Sequence, residues 1–115
     1  MTSRGNSVGK LVRDGVPELI RKSGRTPHVV TLSVAAYRDA LLDKLHEEAA
    51  ELSAAQTVES ALEEAADVLE VLVAIAAEHG ATLDTISEIA RRKRGERGGF
   101  GMRRWLEAIE PIPEP

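Results

Sequence analysis

Lys44-Leu-His-Glu-Glu-Ala-Ala-Glu51 and Glu63-Glu-Ala-Ala-Asp-Val-Leu-Glu70 are two acidic segments built alike. In each, two carboxylates stand three residues apart, Glu48 with Glu51 and Glu64 with Asp67. On an α-helix that spacing puts both on one face, roughly 60° apart around the axis and one turn along it. Two such helices side by side bring four carboxylates to one seam, where they repel one another unless a cation sits among them. Hard oxygen donors of this kind select Mg²⁺, with Mn²⁺ as the alternative. The surroundings sharpen the argument. From Ala61 to Ala77 the chain reads ALEEAADVLEVLVAIAA, apolar nearly all round after Ala65, the pattern of a helix buried on several sides. Asp67 and Glu70 stand inside that run, where an unpaired carboxylate costs on the order of several kcal/mol or takes up a proton. A bound cation removes that cost; the bland alternative is a solvated acidic face.

Working outward, both segments sit on predicted long helices. Ser33 is a good N-cap for the first, about 34–55, whose apolar positions Leu41, Leu45, Leu52 and Ala55 follow helical spacing. The turn falls at Ala54–Thr57. Thr57 or Ser60 caps the second helix, about 58–79, with Ser60 and Glu63 fitting a capping box and Gly80 as its stop. A short connection makes the pair an antiparallel hairpin. Glu48 and Glu51 lie late in the first helix, Glu64 and Asp67 early in the second, so the hairpin brings them level. The expected fold is therefore an all-α helical bundle. Shorter helices are expected at Val16–Lys22, with Pro17 in the first turn and Gly24 beyond the end, and over 83–94, opened by Thr82 or Asp84. Pro27–Leu32 is β-branched and reads as an extended piece, and Gly95–Gly101 as a glycine-rich loop. Residues 1–9 are predicted disordered and 109–115 an irregular Pro-rich tail, leaving 10–108 as one domain.

Composition removes several chemistries. The 115 residues include no cysteine, which excludes disulfides and thiolate metal sites. His28, His46 and His79 are scattered and form no His-x-x-x-His pair, so a zincin-type site is excluded. With one Phe, one Tyr and one Trp, the core must come from Leu, Val, Ile and Ala. A net charge of −4 argues against nucleic acid as the main partner. The apolar run 71–77 is too short to span a membrane, and the N-terminus lacks a signal-peptide pattern. A soluble cytoplasmic protein is expected.

Together the signatures read Glu47-Glu48-x-x-Glu51, twelve intervening residues, then Glu64-x-x-Asp67. This resembles the metal-binding motif of the all-α nucleoside triphosphate pyrophosphohydrolases, the MazG-like superfamily that includes phosphoribosyl-ATP pyrophosphohydrolase. Lys10-Leu-Val-Arg-Asp-Gly-Val-Pro-Glu-Leu-Ile20 is similar to the opening of a small house-cleaning branch of that superfamily. So are Tyr37-Arg-x-x-Leu-x-x-Lys-Leu-x-Glu-Glu48 and Arg97-Gly-Gly-Phe100. Gly15 departs from the branch, which commonly has lysine there, so any phosphate contact made by that lysine is absent. The resemblance implies hydrolysis of a nucleoside triphosphate to the monophosphate and pyrophosphate. It implies Mg²⁺ held by Glu48, Glu51, Glu64 and Asp67, with Glu47 and Glu70 as candidates to orient or deprotonate a water. Lys10, Arg13, Lys44, Arg94 and Arg97 are the candidate phosphate contacts. Phe100 and Trp105 could each stack on a base or plug the core. Arg91 and Arg92 read as complements of a helix dipole.

Two other classes are carried beside this one. The chain could be a non-catalytic helical dimerisation module with a solvated acidic seam, or a nucleic-acid binder using Arg91–Arg104. In every case a homo-oligomer is expected. Val68, Leu69, Val71, Leu72, Val73 and Ile75 point all around their helix, and one hairpin with a short third helix cannot cover them all.

Overall fold

Two hydroxyl caps set the starts of the long helices. In the computed structural model, which describes residues 9–111 and 113, Ser33 accepts the Ala36 N–H at 3.2 Å and Thr57 accepts the Ser60 N–H at 3.0 Å. The four helices are α1 (Val16–Lys22), α2 (Val34–Ala54), α3 (Val58–Glu78) and α4 (Leu83–Arg97). The fold is all-α, and no strand occurs among the described residues. Thr57, extended at φ −125° and ψ 158°, is the N-cap of α3, so Ser60 lies inside the first turn and the Ser60–Glu63 capping box does not form. Pro27–Leu32 is irregular, with Val29 and Val30 exposed, because no neighbouring strand offers it a ladder. Of residues 1–9, expected to be disordered, 1–8 lie outside the described residues.

The chain divides into two units, the first running to Leu83 and the second from Asp84. In the first, α2 packs on α3 as an antiparallel hairpin. Arg38 near the start of α2 reaches Glu78 at the end of α3 (3.1 Å), while Glu51 meets Glu64 beside the turn. Among the described residues, Leu41, Val71 and Ala76 form the buried apolar core, and the other buried residue is a glutamate, Glu48. The α3 helix ends in a Schellman motif. The Ala81 N–H donates to the Ala76 carbonyl and Gly80 to Ala77, with Gly80 at φ 71°.

The second unit is α4 from Asp84 onward and an irregular tail. The sequence pattern places Gly95 in a loop, but the helix continues through it to Arg97. One interior glycine costs about 1 kcal/mol against alanine, too little to stop a helix flanked by Arg, Lys and Glu. The stop is Gly98, at φ 81°, whose N–H donates to the Arg94 carbonyl. Phe100 and Trp105 are 99% and 87% exposed, so neither is buried within the second unit. No helix among the described residues is long and apolar enough to cross a membrane.

Candidate metal centre

The antiparallel hairpin brings three of the four motif carboxylates to one point. Glu48 and Glu51 of α2 and Glu64 of α3 each place a carboxylate oxygen within 4.8 Å of the others. Such a tri-glutamate cluster can coordinate a divalent cation. Glu48 is 6% exposed, and its Oε2 is buried without a hydrogen-bond partner; Oε2 of Glu64 is in the same state. Burial pushes the Glu48 carboxyl above its ordinary value, and the Glu51 carboxylate pushes further the same way, against the pull of Lys44. Burial raises Glu64 as well, with Glu51, Asp67 and Glu48 adding to the effect. Buried carboxylate oxygens without a hydrogen-bond partner are suited to a cation. The donor set is all oxygen and suits a hard divalent cation.

Asp67, the fourth motif position, is not in this cluster. Its Oδ1 accepts from the Arg13 guanidinium at 2.6 Å. The Lys44 ammonium lies 3.3 Å from Glu47 and 3.4 Å from Glu48, one turn along the same helix.

Beside the carboxylates lies a pocket of about 610 Å³ within the first unit. Its basic wall is Lys10, Arg13 and Lys44, and its acidic wall Asp14, Glu48, Asp67 and Glu70. Of the two candidate water-handling residues, Glu70 lines this pocket and Glu47 does not, being paired with Lys44 instead. Arg97 and Phe100 line a separate hollow in the second unit with Gly98, Gly99, Gly101, Met102 and Arg104. Arg94 is exposed on α4, and His46 is exposed on α2.

Tyr37, Leu41, Val71 and Ala74, on the apolar side of the pocket, are not placed at the site by the sequence alone. A signal was there. Tyr37, Leu41, Lys44 and Glu48 follow the 4-3-4 spacing of a single α-helical stripe, within roughly 60° of arc. Extending the register N-terminally from Glu48 finds the α2 side of the wall.

A relative from Mycolicibacterium smegmatis, itself named an uncharacterized protein, is 59% identical over 56 residues, 49% of this chain and 57% of that protein. The chain thus spans little more than half of that relative's length. No solved structure matches the chain. The sequence family described as Phosphoribosyl-ATP pyrophosphohydrolase matches residues 16–94, more than half of the chain. That span carries the whole hairpin with Glu48, Glu51, Glu64 and Asp67, and the chain belongs to this family of MazG-like proteins.

Proposed function

We propose that the chain is a metal-dependent nucleoside triphosphate pyrophosphohydrolase, breaking the bond that releases pyrophosphate and leaves a monophosphate. The observation that carries this is a tri-glutamate cluster with a buried, unpartnered Oε2 opening beside a pocket lined by three cations. Glu48, Glu51 and Glu64 would hold Mg²⁺, with Asp67 within reach on the next turn of α3. A bound divalent cation supplies charge neutralisation on phosphate oxygens and an activated water.

The side chains supply the rest. Lys10, Arg13 and Lys44 bind the polyphosphate through charge-assisted hydrogen bonds. Glu70, which has no ion-pair partner among the described residues, orients a water or accepts its proton. Tyr37, Leu41, Val71 and Ala74 exclude bulk water from one side, which strengthens every charge interaction in the pocket. Arg94, Arg97 and Phe100 are further substrate contacts in this proposal. A housekeeping role on non-canonical nucleotides in the cytoplasm accords with the resemblance of the opening segment. The family description makes phosphoribosyl-ATP a second candidate substrate, cleaved at the same kind of bond.

The active form is proposed to be a homo-oligomer built on α3. Leu62 and Leu69 on that helix, and Leu42 on α2, are more than two-fifths exposed, and Leu69 stands at 44%. Val71 is 7% exposed within this chain, so a charge there would break the hairpin and an interface alike. Leu69→Glu is the cleaner probe.

The decisive assay is pyrophosphate release from a panel of nucleoside triphosphates and phosphoribosyl-ATP with Mg²⁺. Glu48→Gln, Glu51→Gln and Glu64→Gln should each abolish release while helix content stays intact. Orthophosphate as first product, with a nucleoside diphosphate, refutes the assigned bond.

A further inference from the structure

Asp67 has the spacing of a cation ligand but a guanidinium for a partner. It sits three residues after Glu64 on α3, one turn along and on the same side of the helix. The three glutamates come within 4.8 Å of one another, and Asp67 is not among them. Arg13 holds its Oδ1 at 2.6 Å. Arg13 belongs to an irregular stretch, residues 10–13, that lines the pocket along with Asp14 and Val16. Its carbonyl accepts the Val16 N–H at 3.0 Å, which ties the stretch to the first turn of α1. The Arg13–Asp67 pair is the one ion pair that joins this stretch to the hairpin among the described residues. The family match begins at Val16 and leaves Arg13 outside.

We propose that Arg13 is a displaceable counter-ion of Asp67. A divalent cation at Glu48, Glu51 and Glu64 draws Asp67 off the guanidinium, and the release frees residues 10–14 to move over the pocket. The inference rests on the cation reading of the glutamate cluster. Three observations support it. The pair is 58% and 40% exposed at its two side chains, so it is screened by water and easily exchanged. The glutamate cluster is the opposite, with Glu48 buried and its Oε2 unpartnered, so a cation gains most there. A guanidinium has five donors and no acceptor, so it can neutralise Asp67 but can contribute nothing to a cation. Arg13 and the cation are therefore alternative partners for one carboxylate. A free Arg13 still lines the pocket, where its fork geometry matches phosphate oxygens.

The competition has a definite sign. Removing Arg13 frees Asp67 in advance and should tighten cation binding; an arginine that merely steadied Asp67 would do the reverse on removal. The test uses the full chain and two readouts other than activity. Mn²⁺ binding is followed by the electron-spin-resonance signal of the free ion in wild type, Arg13→Gln, Asp67→Asn and the double variant. Arg13→Gln should bind Mn²⁺ about two- to fivefold more tightly, the factor expected from losing one exposed ion pair. In the Asp67→Asn background the same change should have no effect. The chain has no cysteine, so Gly9→Cys gives a single position for a nitroxide label. Mg²⁺ should increase the mobility of that label in wild type, and in Arg13→Gln the label should be mobile from the start.

Unchanged or weaker Mn²⁺ affinity in Arg13→Gln overturns the proposal, as does a label whose mobility Mg²⁺ leaves unchanged or lowers. Equal tightening with and without Asp67 overturns it too, because the effect is then long-range charge alone. A wild type that binds no Mn²⁺ overturns the cation reading itself, and this inference with it.

Discussion

Glu48→Gln should stabilise the protein without metal and destabilise it, relative to wild type, with metal. Glu48 is 6% exposed, with Oε1 at 3.4 Å from Lys44 and Oε2 unpartnered. Lys44 attracts the charge, and the Glu51 carboxylate offsets that attraction. What is left is the burial of an unsatisfied acceptor, a cost of about 1–3 kcal/mol. Glutamine removes the charge, and its amide can donate to a neighbouring carboxylate; Lys44 keeps Glu47 at 3.3 Å. A net gain of about 1 kcal/mol is expected, near 4 °C in Tm for a chain of this length. Saturating Mg²⁺ at about a hundredfold above Kd adds about 2.7 kcal/mol to wild type, near 11 °C, and little to the variant. The order of the two melting curves therefore reverses. Calorimetry at one fixed protein concentration, with and without Mg²⁺, reads both arms. A variant that melts below wild type in the absence of metal refutes the reasoning, since Glu48 is then an ordinary salt-bridged carboxylate.

Four further outcomes follow from the same structure. Both Glu48 and Glu64 have folded values raised above the ordinary 4.5, so the folded state holds more protons than the unfolded one just above that pH. The contribution to stability is full below 4.5 and is lost as pH rises through the raised values; denaturant midpoints of the metal-free protein from pH 4 upward should show that fall, and a rise across the window counts against it. Thr57→Ala should cost about 1 kcal/mol through the lost cap, while Ser60→Ala should be nearly neutral; equal losses in urea melts would restore the capping box. Gly95→Ala has helical backbone and nothing within 4 Å of the new Cβ, so it should stabilise α4 by about 0.4–1 kcal/mol, measured as Tm. Leu69→Glu should lower the mass measured by light scattering at low micromolar concentration; a wild type of 12.4 kDa in solution refutes the oligomer.

Local rules decided much of this protein. Ser33, Gly80 and the apolar spacing between them place both long helices to within a residue or so, because caps and periodicity act over one or two turns. The short turn at Ala55–Thr57 then leaves an antiparallel hairpin as the outcome, and the level meeting of Glu48, Glu51 and Glu64 follows from chain geometry alone. Gly95 shows the limit of such rules. Two glycines three residues apart are alike as letters, and the cost of one helical glycine against its neighbours' propensity made Gly98 the stop. The partner of Asp67 lay beyond any local rule. Spacing puts it on the face of Glu64, but Arg13 is 54 residues away in sequence, and only the folded chain brings that guanidinium to 2.6 Å. Glu70 too lines the pocket only through the fold, which sets it beside Lys10, Arg13 and Tyr37 from distant parts of the chain. Periodicity fixes the face a side chain stands on, while packing against the rest of the chain decides what it meets there.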